Sequence, residues 1–162
     1  MPINEFNNAK KYKANKELPT HLEHKPVYAI PYVQFDGMYA DNTDCQYLSI
    51  GLAQWDSTHV SLKTMRFRDK WSRQSEELPL HRVIDSTLLL SKVLFDSKDN
   101  KIEMERNLFI KQDSTFQVEE EKLSADELER YNKFLDENMD LFKSRFDALY
   151  KTLDRLKKEG KF

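Results

Sequence analysis

The residues with the clearest potential for ligand binding lie within residues 71–85, which read WSRQSEELPLHRVID. Arg73 and Arg82 could bind an anionic substrate, and His81 could act on it as a general acid or base. A helix that begins near Pro79 would add backbone N–H donors suited to an anion. We therefore predict a binding site at this strand-to-helix junction, with these candidate residues: Trp55, Trp71, Arg73, Gln74, His81 and Arg82.

The same segment also has a purely structural interpretation. Glu76 and Glu77 would stabilise the positively polarised start of the helix, and Arg82 could pair with Asp85 on its polar side. Charged residues are common at helix starts in ordinary domains. The sequence leaves both interpretations open.

Other reactive side chains form weaker patterns. His21 and His24 are three residues apart, a spacing that could share a metal ion on a helix, but no third ligand accompanies them. Cys45 could act as a nucleophile with His59 or His81, although no protease motif surrounds it. Phosphate-binding glycine loops and the common hydrolase and zinc motifs are missing. We therefore predict surface histidines, a structural cysteine, no metal and no cofactor.

The composition favours one soluble domain. A chain of 162 residues with 39% hydrophobic and 33% charged residues is long enough for one core and typical of globular proteins. The net charge of -2 argues against a nucleic-acid partner, although a local basic patch remains open. A single cysteine predicts the reducing cytoplasm, and no apolar stretch approaches the length of a membrane span. The possible basic patch for nucleic-acid binding would consist of Lys63, Arg66, Arg68, Lys70 and Arg73.

Hydrophobic periodicity predicts a small antiparallel sheet. Residues 47–53 and 59–68 alternate apolar with small or polar side chains, which is typical of strands with one buried face. The alternation slips once near Thr64, where we expect a bulge. Residues 27–30 predict an edge strand, and residues 71–75 predict a strand that returns antiparallel to the second.

Helices are predicted on either side of a segment without clear periodicity. An apolar, central helix should begin near Pro79, whereas residues 97–122 could form a hairpin or an irregular lid. Ser124 and Glu127 form a capping box that begins a long helix, and Gly160 ends it. The predicted fold is therefore α+β, with a small antiparallel sheet packed on a central helix and a long C-terminal amphipathic helix.

We expect residues 1–18 to form a flexible arm and residues 19–162 to form a single domain that includes a helix over 125–159. An apolar stripe recurs along that helix and could serve a coiled-coil dimer or the protein's own core. Phe142 and Phe146 are bulky for tight knobs-into-holes packing, so we expect at least the first half to pack within its own chain. The basic end near Arg155 would project, where it could meet a second copy. The stripe comprises Leu128, Leu135, Met139, Phe142, Phe146, Leu149, Leu153 and Leu156.

Two sequence blocks resemble an uncharacterised family of short bacterial proteins. They are YLSIGLAQ at 47–54 and WSRQSEELPLHRV at 71–83, preceded by PTHL at 19–22 and KPV at 25–27. The resemblance covers about residues 21–90 and leaves the C-terminal helix outside. It implies a bacterial source and a domain core but no activity.

Three functions remain compatible with these patterns. The first is a non-enzymatic binding or protein-interaction module of a bacterial cytoplasm. The alternative is an enzyme or nucleotide binder that acts on an anionic small molecule through residues 71–85. A third, nucleic-acid binding, is disfavoured by the charge. The expected partner is therefore an unknown protein or a small anionic ligand; a homodimer remains open, and no membrane is expected.

The stripe on the long helix makes a first prediction. If Phe142 packs within its own chain, Phe142→Ala should lower the free energy of unfolding by about 3–5 kcal/mol, because the lost ring leaves a cavity. Urea unfolding at concentrations where the protein is monomeric measures this change. An unchanged melting temperature with loss of a dimer on sedimentation would instead assign the stripe to oligomerisation.

Overall fold

The computed structural model describes residues 12–162, which belong to two compact units, Met1–Glu119 and Glu120–Phe162. In the described residues, the second unit contains one α-helix, and the first contains a four-stranded sheet, a two-stranded sheet and one α-helix, with two short 3-10 helices at Val33–Phe35 and Gly37–Tyr39. This architecture confirms the predicted α+β class. The elements in chain order are β1 (Lys25–Pro31), β2 (Cys45–Leu52), β3 (Val60–Arg66), β4 (Glu77–Pro79), α1 (Leu80–Phe95), β5 (Lys101–Met104), β6 (Phe116–Glu119) and α2 (Ala125–Lys158).

The main sheet is antiparallel throughout and has the strand order β1-β2-β3-β4. β1 lies at an edge, as predicted from its prolines. Paired residues of antiparallel strands point to the same face of a sheet. The pairs Ser49 with Lys63 and Ile50 with Leu62 therefore mark two different faces.

The two faces have an inverted polarity. One face, which we call the inner face, buries Ser49, Ser61, Lys63 and Met65. The opposite, outer face carries mostly apolar side chains, and none of them is buried. A sheet with one wet side normally has the reverse arrangement. The apolar residues of the outer face are Tyr28, Ile30, Leu48, Ile50, Leu52, Val60, Leu62 and Leu78.

This polarity explains why the predicted bulge near Thr64 is wrong. We predicted a slip in the alternation of apolar and polar residues near Thr64 because we expected the apolar residues of β3 to be the buried ones. β3 in fact pairs regularly from Val60 to Met65, and the register shift lies in β2 between Cys45 and Tyr47. The buried position is occupied by Lys63, whose ammonium group finds partners inside the protein.

The predicted return strand at 71–75 is also wrong. Trp71 makes only a single bridge to Phe67, and the strand that pairs with β3 is β4, at Glu77–Pro79. The intervening chain curves around Lys63, whose ammonium donates to the carbonyls of Arg73 and Ser75. Because these carbonyls bind a side chain, they are not available for a strand ladder.

The first helix begins next to Pro79, as predicted, but it is not the buried centre of the fold. α1 adjoins β3, β4 and β5, yet none of its residues is buried. The segment 97–122 contains a hairpin of β5 and β6. Ile102 and Met104 of this hairpin are buried, so it contributes to the small core of the first unit.

Only part of the predicted N-terminal arm can be compared with the structure, since residues 1–11 lie outside the described residues. In the described part, the ring of Tyr12 lies 4.8 Å from that of Phe35. Asn15 N donates to Gln46 Oε1 at 2.9 Å, and Tyr47 Oη donates to the Lys16 carbonyl at 2.6 Å. The arm boundary at residue 18 and the single domain over 19–162 remain predictions.

The second unit is dominated by α2, which begins and ends within one residue of the predicted positions. Ser124 Oγ accepts from Glu127 N at 3.2 Å, and the Glu127 carboxylate accepts from Ser124 N at 2.9 Å. Both hydrogen bonds of the capping box are thus present. Gly160 has a φ of 71°, which places it in the left-handed region that ends many helices.

The capping box makes a second prediction. Ser124→Ala should lower the free energy of unfolding by about 1 kcal/mol, because an N-terminal amide of α2 loses its acceptor. Ser144→Ala is the matched control, since Ser144 lies inside the helix and alanine favours helix formation. Urea unfolding followed by circular dichroism measures both. Equal effects of the two substitutions would show that the cap does not stabilise the helix.

Candidate functional site

The inner face of the sheet is organised around the carboxylate of Glu77, on β4. Ser61 Oγ donates to Glu77 Oε1 at 2.6 Å, and Gln54 N donates to the same oxygen at 3.0 Å. The other oxygen, Oε2, lies 3.4 Å from Lys63 Nζ. A buried carboxylate is tolerated when it is paired and hydrogen-bonded in this way.

Lys63 is satisfied by the same network. Its ammonium donates to the carbonyls of Ser75 at 3.1 Å and Arg73 at 3.3 Å in addition to Glu77. The three donors of a lysine therefore each have an acceptor. A basic nucleic-acid patch that includes Lys63 is excluded, because its side chain is only 1% exposed.

His24 completes the network from the segment before β1. Its Nδ1 lies 3.1 Å from Glu77 Oε1, and its Nε2 lies 2.9 Å from Ser49 Oγ. A carboxylate can only accept, so Nδ1 carries a proton and Ser49 donates to Nε2. The prediction that His24 is a surface residue is wrong, because the residue is 1% exposed.

Ser49, His24 and Glu77 are hydrogen-bonded in the order of the serine, histidine and carboxylate of a hydrolase triad. Unlike the serine of such a triad, Ser49 is not accessible to solvent. Ser49 is 1% exposed, like His24, so no substrate can reach the hydroxyl group. The arrangement therefore holds the inner face together. It does not form an accessible nucleophile.

The pKa values of the network follow from burial and pairing. Burial lowers the pKa of His24, although the neighbouring Glu77 carboxylate acts in the opposite direction. Burial alone would raise the pKa of Glu77, but the hydrogen bonds from Ser61 and Gln54 and the charge of Lys63 outweigh it and lower the pKa. At neutral pH the network thus contains a neutral imidazole, a carboxylate and an ammonium group.

The accessible candidate site lies on the outer face of the sheet. Tyr28 is 76% exposed and Ile30 is 55% exposed on β1. Val60 and Leu78 extend the apolar surface across β3 and β4 and are exposed as well. Scattered apolar side chains are normal on protein surfaces, but a contiguous apolar patch marks an interaction site.

At one end the outer face opens into a polar cleft of about 940 Å³. Leu48 and Thr64 belong to the sheet and also line the cleft. Its other walls carry charged and aromatic side chains, which surround an ion-pair network at the end of β3. The charged and aromatic wall residues include Tyr32, Tyr39, Asp44, Arg66, Arg68 and Glu76.

Asp44 and Arg66 are the centre of that network. Arg66 donates to the two Asp44 oxygens at 2.8 and 3.1 Å, and Arg68 Nε donates to Asp44 at 2.7 Å. Arg66 also donates to Glu76 at 3.0 Å. The hydrogen bond from Arg66 lowers the pKa of Asp44, and that from Thr64 lowers the pKa of Glu76. At neutral pH Asp44 and Glu76 are therefore carboxylates, and both accept hydrogen bonds from Arg66.

The six residues predicted as a binding site lie in separate places. Trp71 packs its ring 5.4 Å from Phe67 and 6.2 Å from Tyr47. Trp55 donates to His59 at 3.1 Å in the turn after β2. The length of β3 separates these two tryptophans by about 20 Å, at about 3.3 Å per residue.

The other four predicted residues are divided in the same way. Gln74 lines a second cleft beside Asp44, of about 530 Å³. Arg73 contributes its backbone carbonyl to Lys63, and its side chain is exposed. His81 and Arg82 lie exposed in the first turn of α1. No described cleft brings the six together, and their role in binding remains a prediction.

Cys45 is a structural residue, as predicted. It is buried, and burial raises the pKa of its thiol to about 11. Cys45 pairs with Arg66 at one end of β3, whereas His59 precedes the other end. Among residues 12–162, no three side chains are grouped in a way that could hold a metal ion.

The charged cleft was not found from the sequence. Arg66 and Arg68 were assigned to a basic patch, and Asp44 was not among the candidate residues. Two arginines that alternate at a strand end, with an aspartate before the neighbouring strand, are a signal that could have indicated ion pairs across two antiparallel strands.

Comparison with known proteins gives one match. A family model described as "Family of unknown function (DUF6530)" matches residues 16–158. The match extends beyond the resemblance noted at 21–90 and includes all of α2. No curated protein and no solved structure matches the chain. In the described part of the chain, no helix has the length and apolar character needed to cross a membrane.

The buried network makes a third prediction, on pH dependence. The folded state lowers the pKa of His24 below its usual 6.5 and that of Glu77 below 4.5. As the pH falls, the unfolded state therefore binds protons first, and the folded state loses stability. Stability should be complete above about pH 6.5 and fall below it through His24, with a second loss below about pH 4.5.

Urea unfolding between pH 7.5 and 4 measures this dependence. His24→Gln retains hydrogen-bonding capacity but cannot titrate, so its free energy of unfolding should change less between pH 7.5 and 5 than that of the wild type. Parallel pH profiles of the two proteins in that window would contradict the assignment.

Proposed function

The chain belongs to this family of unknown function, and we propose that it is a protein-interaction module that binds an amphipathic helix of a partner protein. The helix would lie on the outer face of the four-stranded sheet. This proposal follows the first of the functions that the composition allows, and it places the module in a bacterial cytoplasm. The single cysteine and the resemblance to short bacterial proteins support that location.

The observation that carries the proposal is the inverted polarity of the sheet. Two of its charged residues, Lys63 and Glu77, are inside and mutually paired. Its aliphatic and aromatic residues, such as Tyr28, Ile30 and Val60, are exposed on the other side. Exposed apolar surface of this kind costs free energy in water, so its retention in a folded sheet favours a partner that removes it from solvent.

The edges of the sheet favour a helix over an added strand as the occupant. β1 carries Pro26 and Pro31, which lack a backbone N–H, and β4 has only three residues. An added strand needs a row of free backbone donors and acceptors at an edge. The broad apolar face instead suits the apolar side of an amphipathic helix, whose side chains cover several strands at once.

The cleft determines which end of the bound helix would lie at which end of the sheet. The apolar surface ends at Leu48 and Thr64, where the ion pairs of Asp44 and Arg66 begin. Arg68 is 77% exposed, and it retains donors beyond the one given to Asp44. A partner helix with a polar or acidic end would place that end in the cleft and its apolar residues on the sheet.

A fourth prediction tests this surface. Ile30→Asp should reduce the recovery of a specific partner from native lysate by about tenfold, because it buries an unpaired carboxylate in the interface. Ile110→Asp is the matched control, since Ile110 is 93% exposed and lies outside the outer face. The comparison uses tagged full-length proteins with equal melting temperatures.

A partner that both variants retain equally would contradict the proposed surface. An independent check uses the dye 1-anilinonaphthalene-8-sulfonate, which binds accessible apolar patches. The native wild type should bind the dye, and Ile30→Asp should bind less than Ile110→Asp. Absence of dye binding by the folded wild type would show that the outer face is covered in the free protein.

A further inference from the structure

We infer that two copies of this chain associate through α2 and that the two helices run antiparallel. This inference concerns a different surface from the outer face of the sheet, and it goes beyond the proposed function. It differs from the expectation from the sequence, which was that at least the first half of the helix packs within its own chain and that only the basic end could meet a second copy. The charges of α2 are distributed unevenly, both around the helix and along it.

One side of α2 is covered by ion pairs within the helix. Four pairs join residues four apart at the same two positions of the heptad, which lie on the side opposite the apolar stripe. The charges on this side are therefore paired within the helix, and this side faces solvent. The pairs are Asp126 with Arg130 at 3.2 Å, Lys133 with Glu137 at 3.8 Å, Asp147 with Lys151 at 2.7 Å, and Asp154 with Lys158 at 2.6 Å.

The other side carries the stripe and a row of charges that flank it. Glu129, Asp136, Lys143 and Lys157 recur at multiples of seven and occupy the position next to the leucines of the stripe. No ion pair within residues 12–162 involves any of these four residues. Charges at this position set the partner and the orientation of paired helices.

The sign of these charges reverses along the helix. The first half has Glu129 and Asp136, whereas the second half has Lys143 and Lys157. In an antiparallel pair the flanking residues of one helix face the same heptad position of the other. Asp136 of each copy can therefore meet Lys143 of the other, which makes the middle of the surface complementary to itself, whereas Glu129 then faces Tyr150 and Lys157 lies beyond the overlap.

One register pairs Asp136 with Lys143 and at the same time brings the stripes of the two copies together over most of their length. Alignment of Asp136 with Lys143 of the second copy gives two equivalent ion pairs around the twofold axis. The same register places Met139 against Phe142 and Leu128 against Leu153 of the second copy. The overlap runs from 128 to 153, about 39 Å at 1.5 Å per residue.

The polar residue Asn132, seven residues before Met139 of the stripe, also fits this register. Asn132 lies near the end of the overlap, where its amide can reach water. Phe142 and Phe146, which are bulky for tight knobs-into-holes packing, each face an unbranched or leucine side chain in this register. Those side chains are Met139 and Leu135 of the second copy.

A parallel pair lacks these advantages. There, each flanking residue faces the residue five positions earlier in the other copy. Asp136 would face Tyr131 and Lys143 would face Asn138, so no pair of opposite charges forms. The dipoles of parallel helices also repel, whereas those of antiparallel helices attract.

A fifth prediction, a charge exchange, tests the pairing. Sedimentation equilibrium of the wild type should show a dimer. Asp136→Lys should weaken it by about tenfold, because both ion pairs become repulsive, and Lys143→Asp should do the same. The double variant D136K/K143D should restore the wild-type dissociation constant. Asp140→Lys is the matched control, since Asp140 lies on the solvent side and should leave the dimer unchanged.

The orientation is measured separately with a spin label on Lys158→Cys in a Cys45→Ser background. Labels in an antiparallel dimer should lie about 50 Å apart, and those in a parallel dimer less than about 20 Å apart. A monomeric wild type at 100 micromolar, a double variant as weak as the single variants, or a short label distance would each overturn the inference. A monomer in which Asp136→Lys lowers the melting temperature would assign the stripe to the protein's own core.

Discussion

The first unit depends on the burial of one carboxylate. Glu77 enters the inner face of the sheet from its shortest strand, and a buried charge is costly unless it is paired and hydrogen-bonded. Ser61, Gln54, Lys63 and His24 supply those partners. They come from β3, from the turn after β2 and from the segment before β1, so the requirement of a single group fixes the relative positions of three parts of the chain.

That requirement also determines which face of the sheet is free. Side chains alternate between the faces of a strand, so the inward direction of Lys63 forces Leu62 and Val60 outward. The residues with the greatest hydrophobicity in β3 therefore lie on the accessible face. The apolar character of the outer face is, in this sense, a consequence of the polar inner face. A change that removed the need to bury Glu77 would alter both faces together.

The two units use charge in different ways. In the first unit, buried charges are few and each has several partners, which gives a rigid geometry around Glu77. In the second unit, the charges of α2 are exposed, and pairs such as Asp147 with Lys151 contribute little individually. Two charges outside these pairs, Asp136 and Lys143, give specificity in the inferred dimer, since they distinguish one orientation of a second helix from the other.

The sequence by itself determined the elements whose signals are local. Ser124 and Glu127 bind each other's backbone, so the start of α2 could be identified without the rest of the molecule. The edge position of β1 followed from its prolines, and the α+β class followed from the order of the periodic segments. Tertiary structure alone decided which side of β3 is buried, because an ammonium group such as that of Lys63 is buried only where distant carbonyls and a carboxylate converge on it. For the same reason the outer face and its cleft could not be identified from the sequence. The pairing of Asp44 with Arg66 joins residues 22 apart in the chain that only the sheet register brings together.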